Sequence, residues 1–493
     1  MDWLFELGLE RPEKGARDAT RRIDVQLRAA IADGRLAPGV RLPATRQAAT
    51  AFGVSRNTAV EIYDRLLHDG YVVARQGAGT FVAERPPVAG AVVGEGAPAA
   101  PRPLNPFWLR AEVSDAIGFW RTSGDDPLAG APVIELRPAL VDGRLFPHDV
   151  FRRIVAGQLR ALERSPPSYR GPQGNQGNGR LRAAITRHIA VTRAVACQPE
   201  DVIVVAGAQQ AFDLLARSLI DRPGAVVALE DPGYPPMRAA FAAVGAVLHP
   251  TPVDAEGLIV ESLPDGARIV CLCPSHQFPL GVSLSPARRR GLLAWARRRG
   301  AVIVEDDYDG EFRYAGSPLE ALRVGGPDIV FYVGTFSKCM LPSLRLGFLV
   351  APEWARPTLV AAKNALDWHC PILLQAAVAA FIAEGKLTRH VRRMRQVYRR
   401  RRDLLLGRLT RDLHPWLEPI PSAYGMHLAA LARPGVEVEA AAEALARRGV
   451  RLHSLERYHL GPPTHRGLVF GFGAADEAEI GRGLDLLHET LRR

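Results

Sequence analysis

Five short apolar runs constrain this chain more than any other feature: VIVVAG (202–207), AVVALE (225–230), RIVCLCP (268–274), AVIVEDD (301–307) and DIVFYVGTFS (328–337). None alternates strictly between apolar and polar residues. Both faces of each strand are therefore expected to be buried, as in a parallel sheet covered by helices. Helix-like segments separate the runs, and that βα order predicts an α/β domain. A long helical pattern, TRHVRRMRQVYRRRRDLLLGRL, follows the last run and leads into a mixed α/β tail.

Upstream, the composition changes. From Arg85 to about Ala131 the chain is rich in Pro, Ala and Gly and loses apolar periodicity, so a semi-extended spacer is expected over 86–130. As a coil it would span roughly 35–40 Å. The expected organisation is an N-terminal domain over 1–85, this spacer, and an α/β domain over 131–493.

Some function classes drop out. Five scattered cysteines make no disulfide framework, no histidine pair has zinc-ligand spacing, and so no metal is expected. MDWLFELGLERPEKG has no basic stretch before an apolar run, and no apolar run reaches the ~18 residues that span a bilayer. A cytoplasmic chain without membrane contact is expected. GPQGNQGNGR (171–180) lacks the Gly-Lys-Ser/Thr of a phosphate loop. The clusters RRRGLLAWARRR and RRMRQVYRRRR carry helical apolar stripes and read as solvated helix faces.

The net charge of +11 favours acidic partners, yet residues 1–85 hold 13 Lys and Arg against 11 Asp and Glu. Placement within that segment is more telling. A short amphipathic helix (Arg21–Asp33) is followed by LPATRQAATAFG, a second helix with Pro43 near its first turn, closed by Gly53. Ser55 is placed to cap a third, SRNTAVEIYDRLLHDG. The short Gly-containing turn makes a helix-turn-helix, and YVVARQGAGTFVAE adds a hairpin through Gly77 and Gly79. Arg35, Arg41, Arg46 and Arg56 fall between Gly34 and Val60 with no acid among them. Ser55, Arg56, Asn57 and Thr58 open the helix whose N-terminus would meet base edges and phosphates of double-stranded DNA.

GRLAPGVRLPATRQAATAFGVSRNTAVEIYDRLLHDGYV together with GAGTFV resembles the GntR superfamily of winged helix-turn-helix regulators. The resemblance implies operator contacts at Arg46, Ser55, Arg56, Asn57 and Thr58, with the wing around Gln76 and Gly77. Ala44 stands where that family often has serine.

In the last strand candidate and its sequel, YVGTFSKCMLPSLRLGFLV, Lys338 interrupts an apolar surround. Burial lowers a lysine pKa, as an amine that forms a Schiff base requires. Thr335, Ser337 and Arg345 would hold the phosphate of an aldehyde cofactor. Asp306, ending a strand in EDDYDGEF, could meet a protonated pyridine nitrogen, and Tyr308 its ring hydroxyl. Gly207, Ala208 and Gln209, between strand and helix, offer an anion site, and Tyr234 could stack on the ring. Together these point to pyridoxal 5'-phosphate held as an electron sink.

Residues 131–493 resemble fold-type I aminotransferases, and VEDDYDGEFRY with GTFSKCMLPSLRLG is most similar to their MocR-type regulator branch. That resemblance implies a head-to-tail homodimer that senses a small amino compound, or the cofactor itself, through aldimine chemistry at Lys338. An active aminotransferase with a DNA-binding appendage is the alternative. The loop PSHQFPLG departs from the Asn-Pro pair usual in aminotransferases, placing His276, Gln277 or Phe278 there. Arg466, before GLVFGFG, is the candidate for holding an effector carboxylate.

Overall fold

The computed structural model describes residues 8–12, 18–86, 105–110, 113, 116, 118–119, 133–164, 174–316 and 319–492. Most of the spacer expected over 86–130 lies outside them. The chain forms two compact units, Met1–Leu104 and Asn105–Arg493, so the second unit begins within that stretch.

In the first unit, α1 (Ala19–Ala32), α2 (Thr45–Phe52) and α3 (Arg56–His68) precede the antiparallel hairpin β1 (Val72–Arg75) and β2 (Gly79–Val82). Ile23, Leu27, Ile31, Phe52, Ile62, Leu66, Tyr71 and Val82 converge in one small core. Gly53 ends α2 with φ +70°, a left-handed conformation that costs glycine little. The Ser55 hydroxyl accepts from the Thr58 amide at 3.1 Å and starts α3 as expected. At the start of α2, Pro43 precedes the capping residue, which is Ala44. The Gln47 side chain accepts from the Ala44 amide at 3.2 Å, but an alanine has no oxygen to return.

The second unit is built on an eight-stranded sheet. Strand β3 (Ile134–Glu135) lies outside this sheet, which contains β4 (Val202–Val205), β5 (Val226–Asp231), β6 (Val247–Asp254), β7 (Gly257–Leu258), β8 (Ala267–Leu272), β9 (Val302–Asp307), β10 (Val330–Thr335) and β11 (Gly347–Val350). Its order is β4-β11-β10-β9-β8-β5-β6-β7. All five apolar runs lie in it and point the same way. Strands β11 and β7 run antiparallel, so the sheet is mixed where a parallel one was expected. The reason is connection length: Phe336–Leu346 and Ala255–Glu256 are too short for a crossover helix.

The helices are α4 (His148–Arg164), α5 (Gly179–Arg193), α6 (Ala208–Leu219), α7 (Pro235–Ala242), α8 (Pro286–Arg299), α9 (Arg356–Asp367), α10 (Ile372–Ala383), α11 (Lys386–Arg411), α12 (Val438–Arg447) and α13 (Glu477–Leu491). Phe212, Leu215, Phe241 and Leu359 pack with Leu229, Ile269, Val304 and Phe331 on one face of the sheet. Leu292, Trp295 and Ala296 pack with Ala228, Val270, Ile303 and Val330 on the other. Adjacent residues of one strand thus enter opposite cores, which explains the absence of alternation. A second, antiparallel sheet joins β12 (Leu417–Pro419), β13 (His427–Ala432), β16 (Gly467–Gly471) and β15 (His453–Ser454), while β14 (Val450–Arg451) pairs with β3.

The arginine clusters are less solvated than their sequence suggested. On α11, Arg395, Arg399 and Arg402 donate to the carbonyls of Glu311, Tyr314 and Ser422, and buried Arg401 pairs with Asp142 at 2.8 Å. On α8, Arg289 donates to the carbonyls of Leu284, Pro274 and Glu320. A guanidinium has five N–H donors and can join several loop carbonyls at once, which periodicity does not reveal. No helix among the described residues is long and apolar enough to cross a membrane.

Ala44→Ser should supply the missing half of the cap and stabilise the first unit by about 0.5–2 kcal/mol. Urea unfolding of the full chain, followed by a probe in that unit, measures it.

Candidate functional site

The parallel strands β4, β5, β9 and β10 all end at one edge of the large sheet, the edge at which α/β sheets bind ligands. A cavity of about 700 Å³ lies there, lined among others by Ala208, Gln209, Tyr234, Asp306, Tyr308, Thr335, Ser337, Lys338 and Arg345. Nine of the positions singled out from sequence therefore share one cavity, and Gly207 adjoins it as the residue before α6.

Strand periodicity sorts the three acids of EDD. Glu305 and Asp307 share a face and have structural partners. Glu305 accepts from the amides of Leu322 and Arg323 at 2.9 and 3.0 Å, and Asp307 pairs with Arg193 at 2.7 Å. Asp306 points the other way, into the cavity. It is buried, its Oδ2 has only the Cys273 thiol at 3.9 Å, and its Oδ1 has no hydrogen-bond partner. Burial, with Asp307 and Asp309 nearby, pushes its pKa up to about 8. An unpartnered buried carboxylate is costly unless a donor meets it, so Asp306 fits a protonated ring nitrogen.

Half-buried Lys338 donates to the carbonyl of Ala139 at 2.6 Å. Desolvation lowers its pKa to about 8, against the pull of Asp309 and Asp306. A useful fraction is then neutral amine near neutral pH, as a nucleophile requires. Buried Thr335 donates to Ser337 Oγ at 3.0 Å and accepts from the Ser337 amide at 3.1 Å. Exposed Arg345 reaches back to the Ala206 carbonyl at 2.9 Å. Gly207 has φ +81°, and a Cβ there would lie 3.0 Å from the Arg345 guanidinium. No side chain caps α6, so its first amides remain available to an anion. The Gln209 side chain is occupied with the Pro236 carbonyl at 3.0 Å, so its contribution there is its backbone.

Tyr308 donates to the His276 carbonyl at 3.0 Å and stands 2.9 Å from His276 Nδ1. The Tyr234 ring meets Phe278 and Phe119 edge-on at 5.6 and 5.9 Å. Phe119 comes from the stretch read as spacer, as do the cavity residues Trp108, Val113 and Ala116. Arg466 is elsewhere. Its exposed side chain pairs with Glu456 at 3.2 Å and Glu437 at 3.5 Å, and it is absent from the cavity wall. The cause is register: Arg466 precedes β16, where its backbone carbonyl bonds the Ala432 amide, and its side chain joins a surface ion-pair cluster. Asp309 and His427 were missed. With His276 they form a buried group whose ligand-type atoms lie within 4.8 Å of one another. Their distance in sequence hides them.

In the first unit, Arg46, Ser55, Arg56 and Asn57 are exposed, as are Gln76 and Gly77 at the hairpin turn, and Thr58 is half-buried. The Ser55 and Thr58 hydroxyls bond each other at 2.8 Å while Ser55 caps α3. Arg35 is paired with Asp33 at 2.7 Å, so the arginine-only window loses one free charge to an acid just outside it.

These features define a winged helix-turn-helix unit joined to a body of the aminotransferase fold. Residues 19–82 match the family model of bacterial regulatory proteins, gntR family, and residues 146–467 that of aminotransferase class I and II. The chain belongs to the MocR-type branch of the GntR-family transcription regulators. It is 34% identical to the probable rhizopine catabolism regulatory protein MocR of Rhizobium meliloti over 95% of this chain and 93% of that protein. Identity to the pyridoxine biosynthesis transcriptional regulator PdxR of Corynebacterium glutamicum is 33%, over 92% and 91%. The α-aminoadipate aminotransferase LysN of Thermus thermophilus, solved with N-(5'-phosphopyridoxyl)-L-leucine, is 27% identical with a TM-score of 0.66, covering 77% of this chain and 96% of that one.

Glu230, whose pKa burial also pushes up to about 8, acts with Asp306 on stability. Between about pH 4 and 8 the folded, cofactor-free chain keeps protons on both that the unfolded chain releases, so their contribution to stability falls as pH rises. Asp306→Asn should flatten that fall, seen as a smaller difference in thermal midpoint between about pH 5.5 and 7.5 than in the parent.

Proposed function

We propose that this regulator binds pyridoxal 5'-phosphate in the body cavity through Lys338 and couples the state of that site to operator binding by its winged helix-turn-helix. The observation that carries the reading is the unpartnered Asp306 carboxylate in one cavity with Lys338. Asp306 would hold the proton of the ring nitrogen, Tyr308 would serve the ring oxygen and Tyr234 would cover the ring. Arg345, Thr335, Ser337 and the Gly207–Gln209 amides would hold the phosphate. Bound there, the cofactor supplies an aldehyde that exchanges between primary amines and a ring that withdraws electrons.

The effector is a small amino compound or the cofactor itself. Relatives named for rhizopine catabolism and for pyridoxine biosynthesis share this architecture, so the fold is compatible with either. With Arg466 held in surface ion pairs, Arg345 is the one arginine lining the cavity among the described residues. That favours a sensor over efficient turnover of amino acids, whose carboxylate needs its own cation. We further infer a homodimer, with Arg46, Ser55, Arg56, Asn57, Thr58 and the Gln76–Gly77 turn against DNA. A coupling of about 1–3 kcal/mol would change operator affinity roughly 5–150-fold.

Lys338→Ala should fold yet lose the borohydride-fixable attachment of added pyridoxal phosphate, read by intact mass. Attachment that persists would place the amine elsewhere. Arg56→Ala should weaken operator binding by about 1–3 kcal/mol if it reads a base edge. If it meets only phosphate, all sequences should weaken alike and the salt dependence should become shallower. Fluorescence anisotropy on operator and scrambled duplexes separates these outcomes. Titrating cofactor into the bare chain, then amines into the loaded one, while following the same signal shows which of the two is the effector.

A further inference from the structure

His276 is buried behind Tyr308 of the cavity wall and is held from several sides. Its Nδ1 lies 3.0 and 3.2 Å from the two carboxylate oxygens of Asp309 and 2.9 Å from the Tyr308 hydroxyl oxygen. An ionised carboxylate only accepts, so Nδ1 carries a proton. Tyr308 therefore cannot donate to Nδ1. It gives its own proton to the His276 carbonyl, and its oxygen receives part of the Nδ1–H bond. His427 lies against His276 with ring centroids 4.6 Å apart and ring planes tilted by 44°, and its Nε2 donates to the Pro279 carbonyl at 3.0 Å. His276 Nε2 and His427 Nδ1 have no hydrogen-bond partner. Burial and the neighbouring His276 hold the His427 pKa well below the ordinary histidine range, so His427 stays neutral.

The ring is also fixed sterically. Gly281 and Gly425 have φ of +78° and +80° and face it from two sides. A Cβ on Gly425 would come within 1.8 Å of His276 Cε1, and one on Gly281 within 3.3 Å of Nε2. The imidazole is thus fixed in orientation by groups from its own loop and from elements far away in sequence.

We propose that His276, oriented by Asp309 and held between Gly281 and Gly425, is a positioning residue that polarises the Tyr308 hydroxyl. It thereby sets the proton affinity of the Lys338 nitrogen once cofactor is attached. This rests on the function proposed above. A hydroxyl whose oxygen accepts a hydrogen bond becomes a stronger donor. Turned to the ring oxygen of the cofactor, Tyr308 stabilises negative charge there and makes the loaded nitrogen easier to deprotonate. The charges acting on Lys338 are Asp309 and Asp306, which favour its protonated form, and Arg345, which opposes it. Replacing Asp309 would disturb both the relay and one of these charges, with opposite signs, so His276 is the residue to change.

The test uses full-length protein loaded with pyridoxal phosphate and follows its visible band against pH. Tyr308→Phe should raise the apparent pKa of that band. His276→Gln should raise it by about 0.5–1 unit, a three- to tenfold change in proton affinity. In the Tyr308→Phe background, His276→Gln should add nothing. His276→Asn, whose amide N–H sits near the position of Nδ1 whereas that of Gln reaches toward Nε2, should recover part of the shift. An equal His276→Gln shift in both backgrounds would overturn the relay, as would no shift at all. If a strong chelator reproduces the shift in the parent protein, a metal held by His276, Asp309 and His427 replaces the relay. Failure of the parent to take up cofactor at Lys338 would instead defeat the function reading, which keeps the two failures separate.

Discussion

Asp306 is a carboxylate placed at the end of a strand buried on both faces, and the rest of the body is arranged around that expense. Its neighbours Glu305 and Asp307 are equally buried but have donors within 3.0 Å. Asp306 Oδ1 has none. The fold satisfies two adjacent acids and leaves the third open toward the cavity, and the proposed cofactor contact rests on that contrast. The period of two along a strand makes the separation possible. It turns 305 and 307 toward Arg193 and the amides of Leu322 and Arg323, while 306 faces the cavity.

Arginine does much of the remaining joining. Arg401 on α11 bonds Asp142 and the Gly473 carbonyl; Arg144 also bonds Asp142. The segment that carries Ala139 is thus tied to the long helix by buried, charge-assisted bonds. Losing one partner of such a pair leaves a charge uncompensated and typically costs 3–5 kcal/mol. The arginine runs in the sequence therefore have a structural use that needs no nucleic acid.

The strands were legible because burial on both faces removes polar residues from a run, and the helix-turn-helix was legible because caps and turn glycines are local. The cavity residues from Gly207 to Arg345 were legible for a related reason: each sits a few residues past a strand end, so chain order reports proximity. Arg466 shows where this stops. Its neighbours Glu437 and Glu456 are decided by the packing of the second sheet, and no local pattern announces them. Phe119 lies in a stretch whose prolines and glycines read as spacer, yet its ring packs against Tyr234, Phe278 and Tyr458. His276, Asp309 and His427 meet only because β13 of the second sheet abuts the loop after β8. A mixed sheet was likewise hidden, since apolarity reports burial and not strand direction.

Lys338 joins the cavity to the segment around Ala139. Lys338 Nζ donates to the carbonyl of Ala139, a non-glycine residue with φ +59°. If, as proposed, a cofactor is attached at this nitrogen, loading the site would remove or redirect that hydrogen bond, worth about 1 kcal/mol net. The Ala139 segment is held at both ends: the Leu136 carbonyl accepts from the Gly471 amide at 2.6 Å, and Asp142 is held by Arg144 and Arg401. Release at Lys338 would then be felt between two fixed points, by a residue whose backbone conformation already costs free energy. In the function proposed above, a signal from this cavity would take that form: a differential contact between loaded and bare states, at a segment held at both ends.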